Sequence, residues 1–208
     1  MIRPWLLILL VLFVPSVVFA ATADATVGKV LVRNHEVLRG HFIEEKHLQG
    51  FNGPIHSEGH FVVAPEHGVI WAVEKPFSTT TVITPVGLVQ SIGGVNVMRL
   101  PAQKIPFMLH LYDMLGGVLA GNWAALETDF TVARTGDDQN WQVVLSPRRT
   151  DNPAMPFSSI SVRGHQFVEN VVLLKADGDS DTLTFLHEVL SSEPPSATEK
   201  LAFNSVHP

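Results

Sequence analysis

The chain's ten histidines are the side chains best suited to hold a metal or to move a proton. His56 and His60 stand four apart, which on a strand puts both on one face. His41 and His47 share a parity on another strand. Zinc, however, needs three or four converging ligands, each oriented by a further partner. No histidine spacing is compact enough to force that convergence, so no metal site is expected. Glu44 and Glu45 are adjacent acids, but neighbours on a strand point to opposite faces and make a poor acid–base pair. Their expected role is that of solvated or rim charges. No Gly-x-Ser-x-Gly elbow, phosphate loop, dinucleotide fingerprint or His-Glu-x-x-His is present. Gly93-Gly94 is not followed by the kind of helix that holds a phosphate. Cysteine is absent, which removes disulfides, thiolate catalysis and cysteine-based zinc sites. The expectation is a protein that is not an enzyme and needs no cofactor. What remains is apolar chemistry, the binding of something greasy without any covalent step. Hydrophobic residues make up 46% of the chain and charged ones only 16%, so the excess must fill a core or line a cavity.

The stretch that concentrates this apolar character is Gly59–Trp71. It reads as two strands, Gly59–Ala64 and Val69–Val73, around a polar turn at Pro65–Gly68. Proline fixes φ and glycine tolerates φ > 0, so the spacing favours a hairpin. Val, Ile, Phe and Trp are the types that pack on a pleated surface. Upstream, Val37–Leu48 is a strand carrying Phe42, Glu44, Lys46 and Leu48 on one face, and Gln49–Ser57 is a loop. Downstream come Thr79–Thr84, a break at Pro85-Val86-Gly87, a strand at Leu88–Ile92, a turn at Gly93-Gly94 and an extended piece at Val95–Leu100. Ile105–Ala120 changes period and predicts a helix, apolar nearly all round, with Pro106 at its first position. Such a helix must pack over something apolar. Gly116-Gly117 weakens its far end. In the C-terminal half, Phe130–Arg134 and Trp141–Ser146 flank a turn at Gly136-Asp137-Asp138. Strands at Ile160–Arg163, Phe167–Lys175 and Thr182–Leu186 follow. Ser191–Ser196 is a linker, and the tail beyond it is expected to add little to the core. Ala21–Val37 predicts a short amphipathic helix with Asp24 near its start. Short strands spaced by turns, with no repeat or second composition regime, predict one domain over residues 21–208 built on a curved antiparallel sheet.

Residues 1–20 read as a secretory signal: Arg3, then the apolar run Leu6–Val14, then Val18-Phe19-Ala20 as a small-residue cleavage site. The run is shorter than the ~20 residues a membrane span needs. The expected product is a soluble exported chain cut after Ala20. Without cysteine there is no lipobox, so a lipid anchor by that route is not expected. Loss of Arg3, the one charged residue of the signal, moves the net charge from −6 to −7. That balance argues against nucleic acid, which demands a basic footprint, and against adhesion to anionic lipid surfaces.

Several of these segments, in this order, resemble the LolA family of periplasmic outer-membrane lipoprotein carriers. They are Phe42-Ile43-Glu44-Glu45-Lys46, Ser57-Glu58-Gly59-His60-Phe61, Trp71 and Lys75-Pro76-Phe77. Pro106-Phe107-Met108-Leu109 resembles the opening of the family's lid helix. Thr135-Gly136-Asp137-Asp138 before Val143-Val144-Leu145-Ser146-Pro147 resembles its middle hairpin. The resemblance covers about Phe42–Leu186. It implies an α+β, mainly β fold: a strongly curved, incomplete antiparallel barrel covered by a lid of short helices. It also implies a periplasmic carrier that shields lipoprotein acyl chains between the two membranes. Its partners would be an inner-membrane ABC releasing complex and an outer-membrane receptor, and the carrier itself would be monomeric. Each buried CH₂ is worth ~0.8 kcal/mol, so one fatty chain is worth on the order of 10 kcal/mol. The expected cavity wall is Phe42, Phe61, Val63, Val69, Trp71 and Val73. The expected lid residues are Phe107, Met108, Leu111, Met114 and Leu115. One departure stands out. Where the family places an Arg-Pro pair whose Arg tethers the lid, this chain has Ala64-Pro65. That departure leaves a carrier of another lipid or acyl conjugate, as in lipid or polyene biosynthesis, as an alternative cargo class. A structural or interaction module of the envelope, with a filled core, is the alternative outside transport.

Overall fold

The computed structural model describes residues 32–104, 123–148 and 157–206. The described residues run as six strands, two short 3₁₀ turns (Ala102–Lys104 and Trp123–Thr128), five more strands and a helix. The first six strands are β1 (Val37–His47), β2 (Ile55–Ala64), β3 (Gly68–Lys75), β4 (Thr79–Thr84), β5 (Gly87–Ile92) and β6 (Val95–Pro101). The second set is β7 (Phe130–Gly136), β8 (Trp141–Pro147), β9 (Phe157–Gly164), β10 (Val168–Lys175) and β11 (Ser180–Ser191), followed by helix α1 (Ala197–Asn204). All eleven strands form one sheet in the order β6-β5-β4-β3-β2-β1-β11-β10-β9-β8-β7. Every pairing is antiparallel. Apart from the edges β6 and β7, strands consecutive in the chain are neighbours in the sheet, and the one non-local junction is β1 with β11. Gly93 and Gly94 both take positive φ, 57° and 82°, in the two-residue connection of β5 to β6. That conformation matches the twist of a tight hairpin, and glycine adopts it without steric cost.

The sheet is open: β6 and β7 are its two edges, and the described residues do not close it into a barrel. It nevertheless curls strongly. Leu38, Phe42 and Phe61 on β1 and β2 join one buried cluster with Phe130, Trp141, Val143, Leu145, Phe157, Ile160 and Val162 on β7–β9. Strands that far apart in the sheet order share a core only if the sheet wraps round it. The face carrying this cluster is the inner face. The fold is therefore the mainly β, curved, incomplete barrel expected from the sequence.

The outer face of β2–β5 has a core of its own: Val62, Ala64, Ile70, Val82 and Val89 pack with Val37, Phe203 and Val206. The expectation that the tail adds little core is thus overturned. Phe203 and Val206 are buried, and His67 stacks on Phe203 with ring centroids 5.6 Å apart. The physical reason lies in the strands. Val62 alternates with Phe61 and Val63, and Ile70 with Val69 and Trp71, so β2 and β3 are apolar on both faces. Such a sheet needs a cover on each side. Phe203 of α1 and Val206 just beyond it cover part of the outer face.

Other differences are smaller. Residues 32–36 form a turn rather than the end of a helix, and β1 begins directly at Val37. Strand β2 begins at Ile55, inside the expected loop. Strand β11 runs on to Ser191, five residues past the expected Leu186. Residues 1–31, and with them the signal and most of the expected first helix, lie outside the described residues. So does the expected helix Ile105–Ala120. No helix among the described residues is long and apolar enough to cross a membrane.

Candidate functional site: the inner apolar face

Period-two alternation on β1–β3 builds the site. In the sheet register Phe61 faces Trp71, Val63 faces Val69, and Gly59 lies between Phe42 and Val73. All six expected wall residues therefore share one face. Phe42 and Phe61 are buried there, whereas Val63, Trp71 and Val73 are half-buried and pack against the same cluster. Val69 is half-buried on that face as well.

Four rings form the centre. Trp71 stacks on Phe42 with centroids 3.8 Å apart and planes at 21°. It also lies 6.2 Å from Phe61 and 6.1 Å from Phe185. Phe185 meets Phe61 edge-on at 5.3 Å. Each such pair is worth about 0.5–1.5 kcal/mol beyond the area it buries. Phe185 was missed by sequence reasoning although Leu183 and Phe185 alternate visibly. It comes to the site through the non-local pairing of β1 with β11, which sets Phe42 opposite Phe185. Gly40 makes room for the rings: a Cβ there would lie 2.7 Å from Phe61 Cε1 and Cζ.

Several charged groups of β1–β3 form ion pairs. Lys46 Nζ lies 2.9 Å from Glu44, and His56 lies 3.4 Å from Glu45 on the other face. His60 Nδ1 is 2.7 Å from Glu74 Oε1. Among the described residues, no three His, Asp or Glu side chains gather as metal ligands would.

The outer face carries a different feature, a groove of about 700 Å³ between the sheet and α1. Val62, Ile70, Ala72 and Ala202 line its apolar part, and Arg39, His41, His60, His187 and Glu199 its polar part. Arg39 spans it. Its Nε and Nη2 donate to the two carboxylate oxygens of Glu199, both at 2.8 Å. Glu199 is also the N3 residue of a capping box with Ser196 at the start of α1. The hydrogen bonds from Arg39 hold the Glu199 carboxyl at about 2, below its ordinary 4.5, against the opposing effect of burial. This bidentate pair fastens the helix to β1. The aromatic rings lie on the other side of the sheet, so the groove and the inner face are separate features.

Phe107, Met108, Leu111, Met114 and Leu115 lie outside the described residues. Ala64, the position matched to the family's tethering Arg, is buried at 2% exposure within the outer core. Its side chain points towards α1, away from the rings. An Arg placed here would bury a guanidinium among Val62, Ile70 and Phe203 instead of reaching over the inner face.

The family model of outer membrane lipoprotein carrier proteins, LolA-like, matches residues 20–169. The chain belongs to this family. None of the curated protein sequences matches closely enough to count as a relative. Among solved structures, a chain of the Pseudomonas aeruginosa MucA/MucB complex is similar at 13% identity and a TM-score of 0.49. The match covers 79% of this LolA-like chain and 55% of that one, so the chain spans about half the length of that neighbour. A LolA superfamily protein from Nitrosomonas europaea is similar at 8% identity and a TM-score of 0.42, covering 83% of this chain and 91% of that one.

Proposed function

We propose that this protein is a non-enzymatic periplasmic carrier whose inner face shields acyl chains from water. The observation that carries the reading is the four-ring cluster of Phe42, Phe61, Trp71 and Phe185, set in a continuous apolar face with Trp71 only half-buried. Membership of the LolA-like family supports it. Helix α1 covers part of the outer face, and the larger apolar cluster lies on the inner face, which makes that face the better suited to an acyl chain. Binding there is non-directional and scales with buried area, as a cargo of variable chain length requires. On this reading the chain is exported, cut after Ala20, and moves lipoproteins from an inner-membrane ABC releasing complex to an outer-membrane receptor. Phe107, Met108, Leu111, Met114 and Leu115 would close over the chains.

A second cargo class, a lipid or acyl conjugate other than a lipoprotein, is supported by the apolar character of the inner cluster, which would hold an acyl chain without regard to what the chain is attached to. Mass spectrometry of what co-purifies from the periplasm separates the two cargo classes, and N-terminal sequencing of the exported form tests cleavage. The carrier reading itself is tested with Trp71→Ala and a fluorescent fatty-acyl probe. Loss of the indole contact should weaken binding by roughly ten- to hundred-fold. Because Trp71 is half-buried, stability should fall by only about 1–3 kcal/mol, less than for a fully buried Trp. Reduced stability with unchanged probe binding would make Trp71 ordinary core, and a wild type that binds no probe would make the protein an envelope module without cargo.

A further inference from the structure

Besides its apolar residues, the inner face holds one carboxyl group that its strand pattern alone would not place there. Strand β11 has Phe185 on the inner face, so simple alternation would put residue 187 inside and residue 188 outside. The β1–β11 register slips here: Arg39 faces Val189 and His41 faces Leu186, which leaves Gly40 opposite both His187 and Glu188. His187 takes φ = 56°, the one positive φ of a non-glycine residue among those described. This bulge turns His187 to the outer face, where it meets His41 edge-on at 6.0 Å. It turns Glu188 inward, with Cγ 3.3 Å from where a Cβ on Gly40 would sit and beside the ring of Phe61. Leu190, two residues on, joins the inner cluster and confirms the new parity. Glu188 Oε1 is buried and has no hydrogen-bond partner among the described residues. Buried acceptors are nearly always satisfied, and one that is not calls for an explanation. Bulges are known to re-aim side chains beside functional sites.

We propose that Glu188 selects the cargo's head group by accepting a hydrogen bond from an N–H next to the acyl chain. The cargo class is then an acyl or alkyl chain bearing an amide or amine, and not a free fatty acid. A carboxylate is an acceptor only. It therefore rewards a donor and repels a second carboxylate of a bound fatty acid. In an apolar wall both effects are larger than in water. The apolar rings hold the chain without regard to its head, and Glu188 supplies the discrimination. This inference rests on the carrier reading above.

The test compares three probes of equal chain length, lauric acid, N-methyl lauramide and laurylamine, by titration against the wild type, Glu188→Leu and Glu188→Gln. The wild type should prefer the two N–H-headed probes over lauric acid by at least about tenfold, the scale of one hydrogen bond to a charged group. Glu188→Leu should bring the three affinities together. Glu188→Gln should keep the amide, lose the advantage of the cationic amine and admit lauric acid. Preference for the amine without the amide would assign a purely ionic contact and overturn the hydrogen-bond role. Unchanged probe ratios in a folded Glu188→Leu protein, even one with raised thermal stability, would show a merely structural group and sink the proposal. If no probe binds the wild type, it is the carrier reading that fails.

Discussion

Replacing Glu199 by Gln should erase one acid-dependent part of the stability. Arg39 and Glu199 form a bidentate pair at 2.8 Å with side-chain exposures of 32% and 15%, and the pair anchors α1 over the outer core. The Glu199 carboxyl is held at about 2 against an ordinary 4.5. That gap corresponds to at most about 3 kcal/mol of preference for the folded state. Solvent screening of a partly exposed pair lowers the figure to about 1–2 kcal/mol. The sign follows from the direction. The folded protein keeps Glu199 ionised at lower pH than the unfolded chain does. The contribution is therefore complete above about pH 5 and is lost as pH falls through 4.5 towards 2. Urea unfolding of both proteins across that range provides the assay, because the other carboxylates change both curves alike. The stability difference between wild type and Glu199→Gln should shrink by about 1–2 kcal/mol on acidification. A difference that stays constant with pH would refute the assignment of this ion pair as the clamp on α1.

Two further substitutions examine the packing on either side of the sheet. Phe203→Ala should cost about 3 kcal/mol or more in chemical unfolding, as for other buried Phe residues; a loss under about 1 kcal/mol would return the tail to a peripheral role. Gly40→Ala puts a methyl group 2.7 Å from the Phe61 ring. It should lower stability by about 1–3 kcal/mol and shift Trp71 fluorescence, whereas an unchanged spectrum and an unchanged unfolding midpoint would show that the rings have slack.

The strands were legible because their side chains alternate. The Phe61–Val63 and Val69–Val73 patterns put the wall residues on one face, and register then followed from the Pro65–Gly68 turn. Gly93-Gly94 announced its hairpin by residue type alone. The shared core of β1–β2 with β7–β9 was not legible, because it depends on the β1–β11 junction between residues far apart in the chain. Glu188 was hidden for a related reason. Its inward direction comes from a one-residue slip at His187, and histidine is not a residue that signals a bulge. The α1 cover left two signals unread. One was the double-sided apolar pattern of β2 and β3. The other was Ser196-Ala197-Thr198-Glu199, a capping box at the start of a helix.

Whether acyl chains enter beside Trp71 is tested most directly by fluorescence quenching. The chain has four tryptophans, and Trp123→Phe and Trp141→Phe in the mature chain leave Trp71 as the reporter. Brominated acyl chains quench only on contact, so titrating chains brominated at different depths maps where they lie. Saturable quenching of Trp71, competed away by an unlabelled chain and lost in the Phe185→Ala variant, is the predicted result. An unquenched Trp71 in a protein that still binds the chain would place the cargo elsewhere and contradict the assignment of the inner face.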